Sequence, residues 1–190
     1  MCGRYFIESD ALDFDGYLDW EDACESVATG DVSPGDHALA IIEQDSRAVP
    51  RVMRWGFGGQ SGKAIINARL ETLGEKPMFK GLEKRQRCAL PASLYYEWRR
   101  ADGQKYAVGI KDSSLFFLAG LYRIGERGSE FVVVTQPPVS QIRRIHDRMP
   151  LILPDMTAAE AWLRGDDARF EQNEAVSVRA EGSEQLSMIF

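Results

Sequence analysis

Ten short runs of apolar, β-branched and aromatic residues follow one another along this chain, with little of helical period between them. They are GRYFI (3–7), HALAIIE (37–43), VPRVMRW (49–55), AIINA (64–68), RCALPA (87–92), LYYEW (94–98), YAVGI (106–110), LFFLAGLY (115–122), EFVVVTQ (130–136) and PLILP (150–154). Runs of this length bounded by Gly, Pro, Asp and Ser read as strands. Helical signals are fewer. A helix over Leu70 to Arg85 is expected to break at Pro77, since proline cannot donate into the helical ladder, and to restart with PMFKGLEKR. A short helix is expected over Pro138 to Ile145, and Thr157 with Glu160 forms a capping box that predicts another over 157–164. Many strands without regular strand–helix alternation point to an α+β fold: a single domain over 1–190 of curved, mostly antiparallel, barrel-like sheet flanked by a few helices.

Charge narrows the class of partner. The net charge of −6 argues at first against nucleic acid, but residues 8–36 carry ten acids and neither Lys nor Arg. The rest of the chain holds 23 bases against 19 acids, a surplus of four positives. An acidic face opposite a basic groove is compatible with DNA, and equally with a merely solvating acidic surface. The longest apolar run, LFFLAGLY, is far too short to span a bilayer, and no apolar signal segment opens the chain. Cys2, Cys24 and Cys88 are three, widely spaced and without a CxxC or His/Cys cluster, so neither a disulfide framework nor a zinc site is expected. A reducing cytoplasm is the natural setting.

Four segments combine polar residues with apolar flanks: CGRY (2–5), INARLET (66–72), YYEWRR (95–100) and IHDRMP (145–150). Singly each has a plain structural reading. Cys2 reads as a small buried hydrophobe. Strand alternation sets Glu97 across from Tyr96 and Trp98, as an outward carboxylate. Asn67 reads as a cap for a helix beginning near Leu70. His146 reads as a turn histidine, Arg69 and Arg148 as surface charges, and Trp98 and Trp162 as core. If Met1 is removed, however, Cys2 becomes a 1,2-aminothiol whose amine and thiol have reference pKa values of about 8 and 8.5.

In combination, the four segments closely resemble the SOS-response-associated peptidase family, also called abasic-site processing proteins. The resemblance runs through CGRY, SPG, RWGF, INARLETLGEKPMF, RQRCALPA, YYEW, FLAGLY, VVVT, IHDRMPLIL and AWL, most of the chain. It implies that Met1 is lost, by aminopeptidase or by peptidase-like self-cleavage, and that Cys2 then captures the aldehyde of an abasic site in single-stranded DNA as a thiazolidine. By the same resemblance Glu97 moves protons, His146 assists adduct formation or reversal, and Asn67 orients the Cys2 amine. Arg4, Arg69 and Arg148 would bind phosphates, while Trp55 and Pro34 would pack on or between bases. The resemblance implies no metal and no organic cofactor, no membrane, and a monomer whose partner is single-stranded DNA containing abasic sites.

The chain departs from the family pattern where RWGF runs into a glycine-rich GGQSG, and where Leu94-Tyr95 replaces Gly-Phe before YEW. A class II glutamine amidotransferase also begins Met-Cys-Gly but does not account for HDRMP or YYEW. A non-catalytic single-strand binder of the same fold is the remaining alternative.

Overall fold

The computed structural model describes residues 2–8, 29–58, 62–125, 128–171 and 175–182. In chain order the strands are β1 (Tyr5–Ile7), β2 (Gly30–Val32), β3 (His37–Gln44), β4 (Arg47–Trp55), β5 (Asn67–Arg69), β6 (Arg87–Ala92), β7 (Leu94–Trp98), β8 (Lys105–Ile110), β9 (Phe116–Gly125), β10 (Gly128–Gln136), β11 (Met149–Pro150), β12 (Ile152–Leu153) and β13 (Val176–Ala180). Helices are short: α1 (Leu82–Arg85), α2 (Ser140–Arg143) and α3 (Met156–Leu163), with a 3-10 turn at Leu70–Thr72. The α+β class with curved, mostly antiparallel sheet is as expected.

One sheet runs in the order β13-β8-β7-β1-β2, and the other in the order β11-β10-β4-β3-β6-β9-β12. Because β10 also pairs with β9, strands β10, β4, β3, β6 and β9 close into a ring. Closure removes the free edges that an open sheet of such apolar strands would present. The β3–β4 hairpin turns on Asp45 and Ser46, both at positive φ (51° and 61°), as a two-residue turn matched to strand twist requires. Inside the ring β10 is apolar on both faces, with Phe131 to Val134 all buried. Gly120 of β9 has no room for a side chain, since a Cβ there would sit 2.7 Å from Cys88 Sγ and 3.0 Å from Val132 O.

The ring splits at one end. β4 accompanies only Glu130 and Phe131 of β10, and β5 then takes its place, pairing Asn67 with Val133 and Arg69 with Thr135, both strands parallel to β10. β11 pairs with Thr135 and Gln136 on the other side. The segments bearing Asn67 and His146 therefore flank the same stretch of β10.

Helix expectations need correction. Leu70 to Arg85 is not one interrupted helix: it holds only the 3-10 turn and α1 at its two ends. Asn67 is a strand residue, not a cap, and the residue before the 3-10 turn is Arg69. α3 is capped by Asp155, whose carboxylate accepts the Ala158 N–H at 2.8 Å, rather than by Thr157. The cap therefore lies two residues earlier than the capping-box spacing suggested, where the Asp155 carboxylate satisfies an orphan amide of the first turn. Most of the acidic stretch and the middle of GGQSG lie outside the described residues.

Candidate active site

Strand pairing brings the start of the chain to Glu97. β1 lies antiparallel to β7 with Tyr5 opposite Tyr95, and Tyr96 donates its N–H to Arg4 O at 2.9 Å. Continued past Arg4, that pairing carries Cys2 toward the Glu97 end of β7. Cys2 is wholly buried, and its thiol is pushed well above the ordinary thiol range, first by burial and then by the negative charge of Glu97. It is therefore a neutral S–H at pH 7.

Glu97 is only 2% exposed. The expectation of an outward carboxylate is thus reversed: Tyr95 and Glu97 occupy the covered face of β7, while Trp98, expected in the core, is 39% exposed. Alternation separates two faces but does not say which one another sheet covers. Burial raises the Glu97 carboxyl above the usual glutamate range.

Asn67 spans the gap between the sheets. Its Nδ2 donates to Cys2 O at 2.9 Å, while its buried Oδ1 finds no partner among the described residues. His146 follows α2, with its N–H on Ile142 O at 2.9 Å, and the residue is 8% exposed. Burial lowers its pKa, so the ring is neutral at pH 7. Nδ1 lies 3.0 Å from the Arg148 N–H and 2.9 Å from Asp147 Oδ1, and Nε2 lies 3.4 Å from Arg100 Nη2.

The model of the family described as SOS response associated peptidase (SRAP) matches residues 1–189. The chain belongs to that family. Abasic site processing protein YoqW of Bacillus subtilis strain 168 is 33% identical over 183 residues, covering 86% of this chain and 80% of that protein. Abasic site processing protein YedK of Escherichia coli K12 is 27% identical over 201 residues, covering 98% of this chain and 90% of the relative. Among solved structures, a protein of Bacteroides thetaiotaomicron superposes with a TM-score of 0.77 at 22% identity, covering 94% of this chain and 91% of the other, a likeness of fold.

In this SRAP chain the residues expected to meet DNA fare differently. Trp55 is fully buried, packed on Tyr5 and Phe131, with its Nε1–H on Ile66 O at 2.9 Å; its ring faces the core and is not available to a base. Pro34 is exposed in a turn closed by Asp36, which accepts the Ser33 N–H at 2.8 Å. Arg4 is partly exposed, 3.7 Å from Asp31, and Arg69 is exposed on β5. Arg148 is not a loose surface charge: it is bound to Glu71 and Thr135, with its side chain 14% exposed. Glu71, Tyr95, Arg100 and Asp147 were missed as site neighbours. All four stand inside the quoted segments, so adjacency to the motif residues was the available signal.

Proposed function

We propose that this SRAP protein captures abasic sites in single-stranded DNA covalently through Cys2 after Met1 has been removed. The observation that carries the reading is the Asn67 Nδ2 bond to Cys2 O, at 2.9 Å, beside a buried glutamate, Glu97, whose charge acts on the Cys2 thiol. That bond fixes the first residue of the processed chain, and Asn67 Oδ1, without a partner among the described residues, is an acceptor suited to its amine. The names of the relatives supply the substrate class.

Hydrolysis of the Met1–Cys2 amide consumes one water and frees the Cys2 amine. The amine adds to the aldehyde carbon of the ring-opened sugar, and loss of one water gives the imine. The thiol sulfur then bonds to the imine carbon, its proton passing to nitrogen, and a five-membered thiazolidine closes. Both nucleophiles sit on one residue, so ring closure needs no second encounter. A buried neutral thiol needs a base as it attacks, and Glu97, with its raised pKa, is suited to take and return that proton near neutral pH. Arg4 and Arg69 would hold phosphates beside the lesion.

The test is an abasic-site oligonucleotide mixed with processed protein, read by denaturing gel and intact mass. The expected product is a denaturation-resistant adduct at the summed masses less one water. Absence of the adduct, or glutamine hydrolysis instead, overturns the reading.

A further inference from the structure

Among the described residues two sets of partners compete for the ring of His146. In the first, Nδ1 accepts the Arg148 N–H at 3.0 Å, which leaves the proton of the neutral ring on Nε2. In the second, Nδ1–H donates to Asp147 Oδ1 at 2.9 Å, and Nε2 turns its lone pair to Arg100 Nη2 at 3.4 Å. Arg100 and Asp147 also hold each other at 3.2 Å, and both are largely exposed, their side chains at 70% and 63%. The second set is thus a solvent-facing pair that screening weakens.

Arg148 is held far more firmly. Its Nη1 and Nη2 reach Glu71 Oε1 and Oε2 at 2.6 and 2.9 Å, and Nη2 also donates to Thr135 O at 2.6 Å. This is a bidentate, charge-assisted pairing, the strongest class of side-chain hydrogen bond. Glu71 belongs to the 3-10 turn directly after β5, Thr135 lies on β10 opposite Arg69, and Met149 after Arg148 enters β11. The clasp therefore ties the Asn67 segment to the His146 loop across β10.

We propose that the Glu71–Arg148 clasp is a positioning device that fixes His146 as its Nε2–H tautomer, by holding the Arg148 main-chain N–H on Nδ1. His146 is then a proton donor at Nε2 and not a base there. Its effect on rate rests on the adduct chemistry proposed above, whereas the tautomer assignment does not.

The chain has two histidines, His37 and His146, so long-range proton–nitrogen spectra of the imidazoles, assigned with His37→Gln, isolate the ring of interest. With the ring neutral, the expected pattern is pyridine-type Nδ1 and pyrrole-type Nε2. Glu71→Gln should bring pyrrole-type character to Nδ1 and slow adduct formation about tenfold, the low end for a misplaced catalytic proton. Adding Asp147→Ala to Glu71→Gln removes the rival acceptor and should restore the original spectrum. If Glu71→Gln does not fold, Arg148→Lys, which keeps the charge but not the fork, serves in its place. A pyrrole-type Nδ1 in the unaltered protein, or an unchanged spectrum in folded Glu71→Gln, overturns the tautomer assignment. A shifted spectrum with an unchanged rate overturns its catalytic consequence. A parent protein that forms no adduct sinks the proposed function, while the spectrum still decides the tautomer.

Discussion

Asn67 on β5 holds the carbonyl of Cys2 at 2.9 Å, so a strand attached to the barrel anchors residues that lead into the other sheet. Asn67→Asp keeps the shape but loses the donor, and Asn67→Ala loses both. Each should slow single-turnover crosslinking by about tenfold or more, with a stability cost of about 1 kcal/mol for the lost hydrogen bond. Full rates in both variants would mean that β1–β7 pairing alone places Cys2.

Cys2→Ala should abolish the stable adduct and leave the fold intact, because the buried side chain it replaces is small. Cys2→Ser keeps the amine but offers a poorer ring-closing nucleophile, so it should stop at a reversible imine. A heat-stable adduct from Cys2→Ala would remove the thiazolidine from the mechanism.

Glu97 should show a trade between activity and stability. Its folded pKa is raised by burial, so the native state binds a proton more readily than the unfolded chain does. Its stabilising contribution is fully present below the unfolded glutamate value of about 4.3 and is lost as pH rises through the raised folded value. Glu97→Gln should therefore be more stable than the parent at pH 7 and converge with it below about pH 4. It should also crosslink at least about tenfold more slowly. Chemical denaturation at the two pH values checks the first statement, and equal stability differences at both would refute it.

Much of this architecture was legible in the sequence, for a physical reason. Strand runs such as HALAIIE and EFVVVTQ announce themselves because both faces are buried, and the structure places β3 and β10 over them. GDV at β2 and VSVRA at β13 went unread, since edge strands with exposed or half-exposed positions carry too few apolar residues to stand out. The site was legible as four motifs, but its geometry was not. Whether Glu97 faces in or Trp55 faces out depends on which sheet covers which face, a relationship between segments far apart in the chain. Trp98 and Trp55 exchanged their expected roles for that reason.

Tyr95 offers a check on the covered face of β7. Its hydroxyl is buried with no hydrogen-bond partner among the described residues, and burial, followed by the negative charge of Glu97, pushes its pKa well above the ordinary tyrosine value. An unpaired buried hydroxyl costs roughly 1–3 kcal/mol. Tyr95→Phe should therefore raise stability by about 1 kcal/mol, measured by urea denaturation. A loss of stability would show that the hydroxyl is satisfied in solution.

Arg69 and Arg148 separate DNA binding from scaffolding. Both stand two positions beyond a site residue, and equal phosphate roles were expected of them. Their surroundings differ: Arg69 is exposed and makes no ion pair among the described residues, while Arg148 is consumed by Glu71 and Thr135. Moving Arg148 onto a phosphate would break a bidentate pair, and Glu71, held below the usual glutamate range chiefly by its hydrogen bond from Arg148, would lose that partner. Arg69→Ala should accordingly weaken binding to intact single strands uniformly across sequences. It should also flatten the slope of log affinity against log salt by about 0.7, the single-strand value for one released counterion. Arg148→Ala should leave that slope at the parent value. If the two variants flatten the slope equally, Arg148 leaves Glu71 for the backbone when DNA binds, and the clasp opens in the complex.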